Sequence, residues 1–275
     1  MKSVKYFFQF VFIIFLFIIF KILGLKISSK FASLLFKSIG PFFRSKQLIK
    51  KNILKAFPNM NENDLNRIAS NMWGNYGRIL AEYIFLKNFR NTIQKSNLEI
   101  VGQEILEEIK KNKKPVIFIS GHFNNFELMA MHIEKSGINL ATIYRPLNNN
   151  FLNVVMERIR KKYICKNQVK KGFAGSRQLL SYFKKGHSIA LMIDQRVSQG
   201  IKSNFFKYGA YTTTIPAQFV KKFNCKIVPI YIERIGDINF KLTVSNPIEY
   251  LNKHSVSYIT LNLNHQLEKM ILKNP

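Results

Sequence analysis

Between Tyr6 and Phe20 the chain carries one polar side chain, Gln9, in an otherwise unbroken run of aromatic and aliphatic residues. Extended to Val4 and Leu25, the run is long enough to cross a hydrocarbon core as a helix rising about 1.5 Å per residue. A cleavable signal peptide would be followed by small residues, whereas Lys21, Gly24 and Lys26 punctuate an aliphatic stretch here. Residues 1–30 therefore read as an uncleaved membrane anchor. Lysines flank both ends (Lys2 and Lys5; Lys21, Lys26 and Lys30), so charge asymmetry does not orient the helix. A helix lying in the membrane interface is the alternative to one that spans.

A second cluster, from Phe31 to Phe43, sets apolar residues at near-helical spacing among Lys37 and Arg44. It fits an amphipathic helix on an anionic surface and equally the first helix of the folded body. Residues 31–275 are expected to form one domain, since no linker, repeat or low-complexity stretch divides them. The chain has 43 basic and 15 acidic residues, a formal net charge of +28. That excess draws polyanions such as anionic lipid, nucleic acid or an acidic protein. Part of it also matches the Lys, Asn, Ile and Phe richness that AT-rich coding produces. Cys165 and Cys225 lie far apart without a CxxC, which makes neither a disulfide framework nor a zinc pattern.

Along the body, helix and strand periods alternate. Residues 46–90 read as helical, broken at Pro58 and restarted by an Asn61 or Asn63 cap. Short apolar runs predict strands near Glu99, over Pro115 to Ser120, Leu140 to Tyr144, Ile189 to Ile193, Ile227 to Ile232, and Phe240 to Val244. Helical patterns fall between them, at Gln103 to Lys111, Phe126 to Lys135, Phe151 to Lys162, Ser176 to Lys184 and Ile215 to Lys222. The alternation predicts an α/β fold with a mixed, largely parallel sheet flanked by helices.

The chemistry concentrates where the apolar run ends at Ser120 and Gly121. His122, Asn125 and Glu127 follow, at a strand exit that opens a helix, the usual ligand-binding edge of such sheets. Five steps of a straight helix turn about 140° net, so His122 and Glu127 would meet only with His122 on the loop and Glu127 in the first turn. Gly121 allows a tight exit from the strand. A histidine taking a hydroxyl proton, with a carboxylate fixing its tautomer, is the general-base half of a catalytic triad. No G-x-S-x-G is present, so the substrate's own hydroxyl would be the nucleophile. A structural histidine at a helix start is the alternative.

The stretch from Gly121 to Glu127 resembles the H-x4-[DE] motif of glycerolipid acyltransferases. It is closer to the G-H-F-G-N-W-E form of the lipid A biosynthesis lauroyl/myristoyl acyltransferases. Further blocks follow in the family's order. Ile143 to Asn149 resembles Y-R-P-x-x-N-P, and Arg158 falls at that block's helical arginine. Lys171 and Gly172 precede a helix ended by Lys185 and Gly186. Asp194 and Gln195 resemble a D-Q strand end. Asn204 to Phe206, with Gly209, Thr212, Pro216 and Ala217, resembles F-F-G…T…P-A. The likeness runs from the N-terminal segment to near residue 250. Asn124 stands for the family glycine, Phe126 for its tryptophan, and Asn150 for its proline. Lys207 and Tyr208 interrupt the F-F-G block. The sequence ends at Pro275, before the aromatic and basic tail with which the family continues.

The resemblance implies acyl transfer from an acyl-carrier-protein thioester to a hydroxyl of a lipid A precursor. His122 would be the base, Glu127 its orienting partner, and no covalent intermediate would form. Arg145 and Arg158 would bind phosphate or stabilise oxyanion charge. Asn125, Asp194 and Gln195 are expected beside the substrate, the last two either supporting the reacting groups or serving the fold. Acyl carrier protein, an anionic lipid acceptor and the membrane are the expected partners, at the cytoplasmic face of an inner membrane. No cofactor, metal or nucleic acid is expected. Two other readings stay open: a glycerophospholipid acceptor, and a non-catalytic basic protein that binds membrane or nucleic acid.

Overall fold

In the computed structural model, which describes residues 2–91 and 97–274, β2 (Ile117–Ser120) is the middle strand of a seven-stranded sheet. All four of its residues are buried. The strand order is β1-β9-β8-β2-β5-β3-β4, with β1 Leu98–Val101, β3 Leu140–Tyr144, β4 Asn167–Lys170, β5 Ser188–Met192, β8 Ile227–Arg234 and β9 Phe240–Val244. The five strands from β8 to β4 run parallel, whereas β9 turns back against β8 and carries β1 with it. The expected mixed, largely parallel α/β sheet is what forms.

The period of two along each strand divides the core. Phe118, Val228, Ile230 and Ile232 face one layer of helices. That layer is built from α5 (Leu86–Asn91), α6 (Gln103–Asn112), α7 (Glu127–Lys135) and α8 (Asn150–Tyr163). Ile117, Ile119, Ile189 and Leu191 face the other layer, α9 (Phe173–Lys184), α10 (Ile215–Phe223) and α11 (Val256–Lys273). Outside this sandwich stand α1 (Lys2–Leu23), α2 (Leu25–Ile39), α3 (Lys46–Ala56) and α4 (Glu62–Glu82). Asn61 caps α4 by accepting from the Asp64 amide at 2.9 Å. A division of the chain at residue 30 falls inside α2, which packs along α4.

Several elements differ from the sequence reading. The hairpin β6 (Ile201–Phe205) and β7 (Tyr208–Thr212) stands apart from the main sheet. Its strands are half-exposed and polar, so no apolar run marks them. In β4 only Val169 is buried, which hides that edge strand in the same way. The start of α9 lies at Phe173, three residues before the expected Ser176. The last helix, α11, buries Ile259, Leu263, Leu267 and Met270, a helical stripe outside the expected elements.

Both cysteines are free and buried. His132 is half-buried on α7, and its Nε2 pairs with Gln103 Oε1 at 2.9 Å. Burial, aided by Lys135, pulls its imidazole down from 6.5 to about 4. The unfolded chain therefore takes up this proton first, so the stabilisation is complete above pH 6.5 and fades as pH falls toward 4. His132→Gln should lose less thermal stability than the native chain between pH 6.5 and 4.5. Equal losses in the two proteins would refute a neutral, buried His132.

Candidate active site

Strand register assembles the site. Ser120 of β2 is paired with Met192 of β5, and the Ile193 amide continues the ladder to Ser120 O at 2.9 Å. Two residues past each strand stand His122 and Asp194, so parallel pairing alone places them side by side. Asp194 accepts from His122 Nδ1 at 2.8 Å (Oδ1) and 3.0 Å (Oδ2), and from the His122 backbone amide at 3.0 Å. Their side chains are 34% and 25% exposed, open enough for a substrate to reach the ring. Burial works to raise the Asp194 carboxyl, but hydrogen bonds and charge from His122 outweigh it and hold Asp194 below the usual carboxylate range. An ionised Asp194 draws the ring proton to Nδ1 and leaves Nε2 as a bare acceptor. Phe126 stacks edge-on against the ring, centroids 4.8 Å apart.

The loop is shaped by its sequence. Asn124 takes a left-handed φ of 42°, a conformation that Asn adopts more readily than most residues. The exit at Gly121 is tight, the Phe123 amide donating to Gly121 O at 2.8 Å, and it is made without a positive φ at the glycine. Its role is space: a Cβ there would lie 2.9 Å from the Phe123 ring and 3.4 Å from the Asp194 Cβ.

The expected partnership of Glu127 with His122 is not the one that forms. Glu127 is the first residue of α7 and is buried, 7% exposed. Its Oε1 accepts from Arg160 Nε at 2.9 Å and Nη2 at 2.7 Å. Helix geometry sends the side chain beneath the loop toward α8, while the histidine ring points to the β5 exit. Arg160 lies near the rings of Tyr83 and Tyr144, at 5.8 and 5.7 Å from their centroids. Desolvation works against its charge, but Glu127 and the phenol of Tyr83 prevail and raise its affinity for the proton.

The remaining expected residues separate into two groups. Asn125 is buried, and its Nδ2 donates to Glu82 Oε2 at 2.9 Å, so it anchors the loop from below rather than facing a substrate. Arg145, just past β3, and Gln195, beside Asp194, are exposed at the carboxyl edge of the sheet. Arg158 is exposed on α8, about 200° around the helix from Arg160. Next to Asp194 opens a cavity of about 390 Å³, lined by Gln195, Arg196, Phe205, Tyr211, Asn264 and Leu267 among others. Among the described residues no cluster of His, Cys, Asp or Glu is arranged to hold a metal.

Two residues of this region went unread in the sequence. Arg160 had a signal: it sits on the inward stripe of α8 beside Met156 and Tyr163, whereas Arg158 lies off it. Glu82 had none. It is fully buried, accepts from Ser29 Oγ at 2.9 Å and Asn125, and pairs with Arg234 at 2.6 Å.

With this geometry in view, comparison with known proteins places the chain. The profile described as bacterial lipid A biosynthesis acyltransferase matches residues 1–275. The chain belongs to that family. It is also 22% identical over 242 residues to the lipid A biosynthesis myristoyltransferase of Escherichia coli (strain K12), covering 86% of this chain and 73% of that one. The protein is therefore an acyltransferase of lipid A biosynthesis.

Removing one member of a buried ion pair strands its partner's charge, which typically costs about 3–5 kcal/mol. Glu127→Leu should accordingly lower stability by about 3 kcal/mol, whereas Glu127→Leu with Arg160→Met should recover much of the loss. Thermal unfolding in detergent measures both. Additive losses in the double variant would show that the pair is not coupled.

Proposed function

We propose that His122, oriented by Asp194, transfers a fatty acyl group from an acyl-carrier-protein thioester to a hydroxyl of a phosphorylated lipid A precursor. The observation that supports it is the His122–Asp194 contact at 2.8 Å, at the carboxyl ends of two adjacent parallel strands, in a chain of this family.

His122 Nε2 takes the proton of the acceptor hydroxyl as its oxygen attacks the thioester carbonyl. Asp194 accepts the Nδ1–H hydrogen bond, stays ionised, and stabilises the imidazolium that forms. As the tetrahedral intermediate collapses, the C–S bond breaks and the thiolate leaves with the proton from Nε2, which restores the neutral ring. Positioned acid–base catalysis of this kind contributes about 10²–10⁴-fold to rate. The Glu127–Arg160 pair stands under the reaction rather than in it, fixing the first turn of α7 against α8. Arg145 and Arg196 are exposed at the same strand ends and suit the phosphates of the acceptor. The excess of positive charge suits an acidic carrier protein and an anionic lipid surface. The body then works at the cytoplasmic face of the inner membrane, held there by its N-terminal helices.

Acyl transfer from a radiolabelled acyl-carrier-protein thioester to a lipid A precursor tests this reading. His122→Ala should lose at least about a hundredfold of the rate, and Asp194→Asn a comparable factor. Unchanged transfer by His122→Ala would remove the base. Transfer to a glycerophospholipid in place of the lipid A precursor would replace the acceptor.

A further inference from the structure

The long apolar helix α1 has two unlike stripes. Tyr6, Phe10, Ile13, Phe17 and Phe20 lie on one line, three or four residues apart, and every one is partly or fully covered. At its beginning, Asn149 Nδ2 donates to Tyr6 O at 2.7 Å, and the Phe7 and Phe10 rings each lie 5.9 Å from that of Phe151 at the start of α8. At its end, Phe17 and Phe20 are buried in a cluster with Ala32, Ala81 and Phe85. Helix α1 therefore runs along the folded body for about 21 Å, from Tyr6 to Phe20. The opposite stripe is Val4, Phe8, Val11, Phe15, Ile18 and Ile22, each 46–79% exposed and all apolar.

Helix α2 is built inside out. Its buried residues are Ser28, Ser29, Ala32 and Ser33, while Ile27, Phe31 and Leu34 are turned outward. The small face lets α4 approach closely: a Cβ on Gly77 would come within 2.1 Å of Ala32 O. Small residues inward and large apolar ones outward is how helices pack in lipid, not in water. Beyond α2, Phe42 and Phe43 are 87% and 78% exposed. Lys21, Lys26, Lys30, Arg44 and Lys46 are exposed beside these apolar residues, the pairing of chemistries that an anionic interface takes.

A spanning helix separates its two ends by the whole hydrocarbon thickness of about 30 Å. Here both ends rest on one body. A perpendicular α1 would drag the start of α8 into the hydrocarbon, with Arg158, Arg160, Lys161 and Lys162 close behind on the same helix. We propose that α1 lies in the plane of a single leaflet of an anionic phospholipid membrane, with the outward face of α2 and Phe42–Phe43 in the same leaflet, and that the chain does not cross the bilayer. This rests on the membrane location proposed above.

Two accessible-cysteine reporters test it in the full chain, Ser3→Cys at the start of α1 and Lys253→Cys at an exposed position between β9 and α11. The native chain, whose Cys165 and Cys225 are buried, is the unlabelled control. Each variant is expressed in Escherichia coli and exposed to a membrane-impermeant maleimide in spheroplasts and in inverted inner-membrane vesicles. Both reporters should label in inverted vesicles and neither in spheroplasts. Labelling of Ser3→Cys in spheroplasts, with Lys253→Cys labelled in inverted vesicles, would mean a spanning helix and overturn the in-plane placement while leaving the membrane location standing. Recovery of both variants in the soluble fraction would overturn the membrane location itself, and the in-plane placement with it.

Discussion

The parallel pairing of β2 with β5 is the constraint on which the site depends. Those strands are far apart in sequence, and each ends in a short loop of no obvious partnership. Once Ser120 lies opposite Met192, the backbone carries His122 and Asp194 to matching depths, and no further device is needed to bring imidazole and carboxylate together. A slip of one residue would turn Ile117 and Ile119 from one helical layer to the other. The two apolar faces that fix the sheet thus also fix the site.

Beneath the loop, two buried carboxylates of the body are spent on holding rather than reacting. Glu127 fastens the start of α7 to α8 through Arg160. Glu82 fastens Asn125 while it pairs with Arg234 and accepts from Ser29. Buried carboxylates with charged partners add little net stability, but they specify geometry, because any other arrangement leaves an unpaired charge indoors. Gly121 complements them by leaving room for the Phe123 ring, which packs edge-on against Tyr231 at 5.0 Å.

Much of this was legible in the amino-acid order. The apolar run ending at Ser120, the alternation of strand and helix, and the capping of α4 by Asn61 follow from local periodicity and cap chemistry. What escaped depends on contacts between distant segments. Asp194 could be read as a residue beside the site but not as the partner of His122, since strand register is absent from local pattern. Glu127 looked like that partner because it is near in sequence, yet a helix start directs its side chain elsewhere. Arg158 and Arg160 differ by two residues and by nearly half a turn, so resemblance alone pointed to the exposed one. The polar hairpin β6–β7 and the edge strand β4 bury too little to leave a hydrophobic signature.

Ser29 sits on the buried face of α2, while Asn125 sits in the loop that carries His122, and both donate to the one carboxylate of Glu82. Trimming the N-terminal helices to obtain a water-soluble enzyme would therefore not be a cosmetic cut. It would strip one donor from a fully buried anion, bare the glycine face of α4, and unseat the floor of the loop that carries His122 from a distance. For this fold the apolar N-terminus is part of the hydrogen-bonded framework, and engineering for solubility is better aimed at Phe42, Phe43 and the outer stripe of α1 than at the helices themselves.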